Sequence, residues 1–326
     1  DWSPQDFARF VYNDDYIRVD GEYAGSRPRR DADRIAARLA GFEHLRLLDY
    51  GSGAGLFTGR LRELGFADVE DYDPFSNPNR PAGTFDVITC FEVLEHTPNP
   101  IATLRDMASF LDPGGIVLCG TSLQQPDFLT VRANWWYVAP RNGHASIYSL
   151  HTLATAASTL GLTLYEGPEL ALATASPSPA SAHLLAAGGR PVRMFKLTAP
   201  GRGAEVPAWQ ATCWNPVEEK EFGVFRWTKE PAIAWRLQAD ALAPCRVILS
   251  IPVHAEVRSG FAQECWLELG TQMVPLLRQA DTLTARLTLD EETEAVVRLI
   301  TPPPLRPCDL RPVKDARPLG IQVMCA

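Results

Sequence analysis

No stretch of this sequence carries the roughly twenty consecutive apolar residues that take a helix across a bilayer. No signal peptide is read where the sequence begins at Asp1 without an initiator Met. The expectation is a cytoplasmic, bacterial-type soluble protein with no membrane span. Surplus positive charge is missing too: 31 Lys and Arg stand against 39 Asp and Glu, a net charge of −8. Neutralising phosphates needs clustered cations, and the one cluster is Arg27-Pro28-Arg29-Arg30, so nucleic acid is excluded as a partner. The seven cysteines, at 90, 119, 213, 245, 265, 308 and 325, show neither zinc spacing nor a disulfide framework. Set mostly in strand-like apolar runs, they read as core residues in a reducing cytosol.

What is present starts with length: 326 residues exceed one domain of about 200 and allow two cores. The most informative stretch is Leu47-Leu48-Asp49-Tyr50-Gly51-Ser52-Gly53-Ala54-Gly55, an apolar strand end, a carboxylate and three glycines at every second position. Glycines let a strand-to-helix turn take positive φ and let backbone approach a ligand. Leu56 to Phe66 has helical apolar spacing, with Gly65 placed for a C-cap. A dinucleotide fingerprint would need a third glycine where Leu56 stands. The pattern G-x-G-x-G with Asp49 ahead of it suits a ligand carrying an amino-acid moiety and no phosphate. Ala67 to Asp73 reads as a second strand, and Asp73 falls about twenty residues past the glycines, where a carboxylate accepts from both ribose hydroxyls. The plainer reading is that Asp73 only starts the turn Asp73-Pro74-Phe75.

Two further blocks follow: Thr84 to Pro100, a buried strand running into Phe91-Glu92-Val93-Leu94-Glu95-His96, and Leu111 to Thr121, a turn feeding another buried strand. With these four blocks in order, roughly residues 40 to 200 resemble the class I S-adenosylmethionine-dependent methyltransferases. The resemblance implies an α/β, Rossmann-like sheet in which Asp49, Gly51, Ser52, Gly53 and Gly55 line the methionine end of the cofactor, Asp73 holds the ribose, and Phe91 and Glu92 close over it. One departure is plain. Only about a dozen residues separate Asp73 from Asp86, so the helix and strand usual there, with their adenine contacts, are shortened or absent; Phe75 is the substitute considered for the adenine face.

Residues 1–30 hold Trp2, Phe7, Phe10, Tyr12, Tyr16 and Tyr23 and are expected to form an aromatic lid, with Arg27 either pairing with the cofactor carboxylate or sitting in a surface turn. The methyltransferase domain is expected over 31–203. Within it Gln124 to His144, aromatic and rich in breakers, looks like a substrate-facing insertion. Ser149 to Gly161 reads as a capped helix, and Leu162–Glu166 with Arg193–Leu197 as the closing hairpin. Ser176–Ala180 and Gly188-Gly189 read as an exposed loop between them. From 204 to 326 short period-two runs, among them Phe222–Trp227, Arg246–Ile251 and Thr284–Leu289, predict an all-β sandwich, jelly-roll-like. Glu221–Trp227, Thr301–Pro304 and Asp315–Ile321 resemble a sandwich module appended to bacterial enzymes that build surface polysaccharides. Trp209, Trp214 and Trp227 are its candidate sugar platforms.

Methyl transfer from a sulfonium is an in-line displacement, and a hydroxyl acceptor must lose its proton. His96 is the first candidate base, given a reference pKa near 6.5; His144 is the second, with Glu95 beside them, and for each histidine a structural role is the alternative. Trp135, Trp136 and Tyr137 are candidates for stacking on a sugar or for lid core. Glu92, Glu95 and His96, with His144 or His151, also have the spacing of small-RNA 2′-O-methyltransferases that hold a divalent cation; metal-free relatives share the string, so the site is read without metal, Mg²⁺ or Mn²⁺ being the alternative. Three functions compete. The first is a sugar O-methyltransferase acting on a sugar nucleotide or glycan of a surface polysaccharide, with a glycosyltransferase or a second copy of the chain as partner. The second is a small-molecule O- or N-methyltransferase with a dimerising β-domain. The third, a non-catalytic binding module, is disfavoured because the glycines, Asp73 and Glu92 are intact.

Overall fold

The structure is a computed structural model, and it describes residues 3–13, 16–22, 25–74, 76–125, 127–200, 213–220, 223–238, 244–289, 294–310, 315, 317 and 319–325. Two compact units divide it, Asp1–Pro191 and Val192–Ala326. That division falls before the 203/204 boundary expected from composition, because residues 192–196 pair with Arg246–Ser250. Among the described residues no helix is long and apolar enough to cross a membrane.

The first unit begins with Pro4–Phe10 (α1), Tyr16–Val19 (α2) and Arg27–Arg38 (α3), and then alternates Leu47–Tyr50 (β1), Leu56–Glu63 (α4), Val69–Tyr72 (β2), Phe85–Phe91 (β3), Pro100–Ser109 (α5) and Leu111–Gly120 (β4). Phe128–Val131 (α6), Leu150–Ser158 (α7), Thr163–Glu166 (β5), Leu170–Ala173 (β6) and Pro179–Ala186 (α8) complete it. The strand order is β2-β1-β3-β4-β6-β5. The first four strands are parallel, and β6 runs antiparallel to both neighbours. This is a Rossmann-like sheet whose central strands read as continuous apolar runs because helices cover both faces; all four residues of β1 are buried. Ala32 and Ile35 from α3, Leu39 at its C-cap, and Phe57 and Leu61 from α4 pack on Leu47, Val87, Ile116 and Leu118 of the strands. Between β2 and β3 the described residues form no helix or strand, as the short spacing implies, so β2 is the sheet edge.

Three local expectations are corrected. The strand partner inserted beside β4 is Leu170–Ala173, every residue of which is buried, and not Arg193–Leu197. A four-residue run between turns carries too weak a period to be read in advance. The stretch expected to be loop around Ser176–Ala180 starts helix α8, with Ser178 accepting from Ser181 N and Pro179 in the first turn, the capping pattern of an N-terminus. Arg190–Lys196 (β7) gives β5 only its first two residues.

In the second unit residues 192–196 of β7 lie parallel to Cys245–Glu256 (β11). The other strands are Glu218–Lys220 (β8), Gly223–Trp227 (β9), Ala232–Gln238 (β10), Trp266–Leu269 (β12), Gln272–Pro275 (β13), Leu277–Gln279 (β14), Thr282–Leu289 (β15), Glu294–Ile300 (β16) and Ile321–Met324 (β17). One set joins β14, β15, β11, β17, β9 and β8, and the other runs β10-β16-β12-β13. Alternate residues of both, Val247, Leu249, Leu283, Leu287 and Ile321 against Ile233, Trp235, Leu267, Val297 and Leu299, enter one buried cluster, as period-two patterning requires. Trp214 belongs to this cluster, edge-on to Trp235 at 6.1 Å between centroids, and Trp227 is also buried, its Nε1 donating to Glu218 at 3.3 Å. Neither is a sugar platform; Trp209 lies outside the described residues.

α3, which carries Arg27, is fastened through Glu169. That carboxylate is buried and paired with Arg38 and, at 3.0 Å, with Arg34, while Arg38 also donates to Leu184 O of α8 at 2.7 Å. Arg38→Met leaves the buried charge with one half-exposed partner. It is expected to cost the first unit about 2–4 kcal/mol, measured as a lower urea midpoint of that unit's transition with the second unit's unchanged.

Candidate active site

The carboxyl ends of β1, β2 and β3 open into a cavity of about 520 Å³. After β1 the chain turns through Gly51, Gly53 and Gly55 at φ of 83°, 53° and 70°, the left-handed region that glycine tolerates. At Gly51 the approach is closer still: a Cβ there would stand 2.3 Å from Val93 Cγ2. The turn from β1 therefore lies directly on the exit from β3. The Ser52 hydroxyl is buried there with no hydrogen-bond partner, and this cradle of bare backbone with an unsatisfied polar atom fits a ligand bearing amine and carboxylate groups.

Asp73, at the end of β2, is held by its neighbours. Its Oδ2 accepts from Gly53 N at 3.1 Å and its Oδ1 from Ser76 N at 2.9 Å, while Ser76 Oγ donates to Gly53 O at 2.6 Å. It lines the cavity, on the side where a ribose edge is expected. Phe75, the adenine candidate, lies outside the described residues. Asp49 lines the cavity and is buried, accepting from Thr89 Oγ1 at 2.7 Å. Burial, with Asp71 and Asp73 adding repulsion, pushes its carboxyl up to about 7.

Glu92 is a non-glycine residue at φ 55°, a conformation that costs on the order of 1–3 kcal/mol and concentrates at functional sites. Its N–H donates to Gly120 O at 2.8 Å, and burial followed by Glu95 pushes its carboxyl up to about 7 while Arg27 opposes the shift. Arg27 also lines the cavity and pairs with Asp20 at 2.6 Å. Phe91 lies edge-on to Phe57 at 5.8 Å. The N-terminal segment supplies the remaining wall: Phe7, Tyr12 and Tyr16 all face the cavity, with Tyr12 edge-on to Tyr16 at 5.3 Å and 5.8 Å from His96.

His96 sits in the turn after β3 and lines the cavity; Glu95 and His144 stand behind it. Glu95 is 0% exposed and accepts from the Tyr137 hydroxyl at 2.7 Å. The His144 ring is 5.0 Å from that of His96. Burial, then His144, pushes His96 down to about 4, so it is a neutral imidazole at neutral pH and not the 6.5 group assumed from its type. Ligand atoms of Glu95, His96 and His144 lie within 4.8 Å of one another; among the described residues Glu92 and His151 are not in that group. Trp136 is 76% exposed and Tyr137 is interior; Trp135 packs at 5.8 Å on Phe128. Val93 and Thr89 carry no signal in the sequence, because each acts through a contact distant along the chain, and Tyr137, a stacking or lid candidate there, shows its tie to Glu95 only in the fold.

Residues 23–166 match a family described as a methyltransferase domain. A ubiquinone biosynthesis O-methyltransferase of Xanthomonas campestris pv. campestris is 34% identical over 119 residues, covering 29% of this chain and 49% of that protein. One from Parvibaculum lavamentivorans is 32% identical over 157 residues, covering 38% and 61%. The chain thus spans about half the length of the first of these curated relatives. A solved O-methyltransferase family protein from Burkholderia thailandensis covers 52% of this chain and 63% of its own at 17% identity and a TM-score of 0.41. The stretch holding the cavity is a methyltransferase domain. Its cofactor is S-adenosylmethionine.

The cofactor carries an ammonium and a sulfonium, and below about 7 Asp49 and Glu92 must each lose a proton to face a cation. Affinity for S-adenosylmethionine is therefore expected to rise as pH increases to about 7, by up to about tenfold per unit for each group, and to level off above it. Titration calorimetry across that range checks this. His96, already neutral there, does not contribute, and a flat profile would remove both carboxylates from cofactor binding.

Proposed function

We propose that the chain is an S-adenosylmethionine-dependent O-methyltransferase whose acceptor is a hydroxyl on a small ring compound. The observation that carries this is one cavity lined both by the glycine cradle with Asp73 and by His96 with the Phe7, Tyr12 and Tyr16 rings. When bound, the cofactor supplies an electrophilic methyl on sulfur. The chain's residues do the rest: the cradle and Asp73 orient the donor, the aromatic rings cover it and exclude water, and neutral His96 receives the acceptor's proton. A planar ring fits between aromatic side chains. The curated relatives are named for an O-methylation in ubiquinone synthesis, which favours a ring hydroxyl over a glycan. The N-terminal segment acts as the lid.

A sugar acceptor is the second reading. Its support now rests on Trp266, 42% exposed on β12, in a two-sheet region read as a sandwich module that takes glycan, a glycosyltransferase or a second copy of the chain. A divalent cation on Glu95, His96 and His144 would acidify the acceptor hydroxyl. Two imidazoles and one carboxylate suit a transition ion better than Mg²⁺. Six described cysteines are free, five of them buried, which suits a reducing compartment, the cytoplasm.

Methyl transfer from labelled donor to a panel of phenols, catechols, sugar nucleotides and oligosaccharides tests the proposal, with phenolic products expected. Products on sugars alone favour the second reading, and no product with any acceptor, while donor binds, overturns the first two. His96→Gln is expected to lower kcat by about 10²–10⁴ with S-adenosylhomocysteine affinity kept within about twofold. Metal analysis after dialysis against Zn²⁺ or Mn²⁺ reports on the cation: about one equivalent in the wild type and none in His144→Ala is its signature.

A further inference from the structure

The segment from Thr121 to Tyr148 is tied to the turn Leu94–Thr97 at several points. Ala145 N and Ser146 N both donate to Glu95 O, at 2.8 and 2.9 Å. Ser146 Oγ donates to Thr97 O and the Tyr148 hydroxyl to Leu94 O, each at 2.7 Å. Those contacts position backbone. Tyr137 reaches the titratable side chains behind the cavity, and it does so from both ends of the residue. Its hydroxyl donates to Glu95 Oε1 at 2.7 Å and lies 3.1 Å from both Ser122 N, which donates to it, and Thr121 Oγ1. Its carbonyl lies 2.7 Å from His144 Nδ1, and the two rings stand 4.4 Å apart between centroids.

A carbonyl oxygen can only accept, so this contact places the proton of a neutral His144 on Nδ1 and leaves the lone pair on Nε2. Glu95 has one oxygen committed to the hydroxyl, and the other, Oε2, is buried without a partner. His96 Nδ1 is likewise buried and unpartnered. Orientation of this inner group thus depends on a residue that does not touch the cavity.

We infer that Tyr137 is a positioning residue for the proposed methyl transfer: it holds Glu95 by its hydroxyl and fixes the tautomer of His144 by its carbonyl, so that both present a set arrangement to the back of His96. The inference rests on the O-methyltransferase reading and deepens it. The same arrangement serves whether His96 takes the acceptor proton unaided or shares a cation with its neighbours. Groups that orient a reacting imidazole from behind typically matter by about 10- to 100-fold.

Tyr137→Phe in the full chain keeps the ring and removes the hydroxyl. Expected are a kcat lowered about 10- to 100-fold, and S-adenosylhomocysteine affinity and acceptor KM within about twofold of wild type. Glu95→Gln is the second variant, and because both substitutions break one linkage, the double variant is expected to be no slower than the slower single. A kcat within twofold of wild type overturns the inference. So does a fall in kcat matched by loss of cofactor affinity, or singles whose effects multiply. Should the wild type methylate nothing in the acceptor panel, the functional reading fails by itself. The inference is then tested by the imidazole nitrogen spectrum of ¹⁵N-histidine-labelled chain: His144 in the Nδ1–H form both in wild type and in Tyr137→Phe, which keeps the carbonyl, supports it, and an Nε2–H form in wild type overturns it.

Discussion

The contact on which the site depends is that of Gly51 with Val93. The turn leaving β1 and the chain leaving β3 approach so closely that a Cβ on residue 51 would stand 2.3 Å from a Val93 methyl. Two consequences follow from that contact. The glycine turn is held open as bare backbone along the cavity, and the residues after β3, Glu92 at positive φ and His96 in the next turn, are brought to line the same cavity. The glycine turn and His96 share one cavity because these two strand ends touch.

Electrostatics completes the chamber. Asp49 and Glu92 are carboxylates drawn out of water, each pushed up to about 7, and a ligand with two positive centres returns the stabilisation that burial removed. Arg27 and Asp20 form their own pair at the rim, so a cofactor carboxylate would meet a guanidinium already held in place. His96, pushed down to about 4, stays neutral beside these groups. The aromatic residues of the N-terminal segment bury one another: Phe7, Val11 and Tyr16 form a small cluster of their own.

The part of the fold legible in the sequence is the part where chemistry is local. Three glycines in five residues, Asp73 at a strand end and the apolar runs of β1, β3 and β4 announce a parallel sheet with a ligand at its carboxyl edge, since turns and buried strands leave residue-type signatures. β6 was not legible because Leu170–Ala173 is short and buried on both faces, and α8 because its capping serine and proline sit in a stretch whose composition reads as loop. At the site, type and position found His96 but not its environment. Its reference titration is overturned by burial, which only the assembled fold reveals. Trp214 and Trp227 carry the same lesson: residue type makes them candidate platforms, and the fold buries both, Trp214 in the second unit's core.

Everything proposed for this site requires that the cavity at the ends of β1, β2 and β3 receive the adenosyl cofactor. A crystal structure of the full chain with S-adenosylhomocysteine tests it most directly. Expected are the amino-acid end on the Gly51–Gly55 turn near Asp49, the ribose hydroxyls on Asp73, and the sulfur facing Glu92 and His96. Ligand density at any other place, or none under saturating conditions, would contradict it.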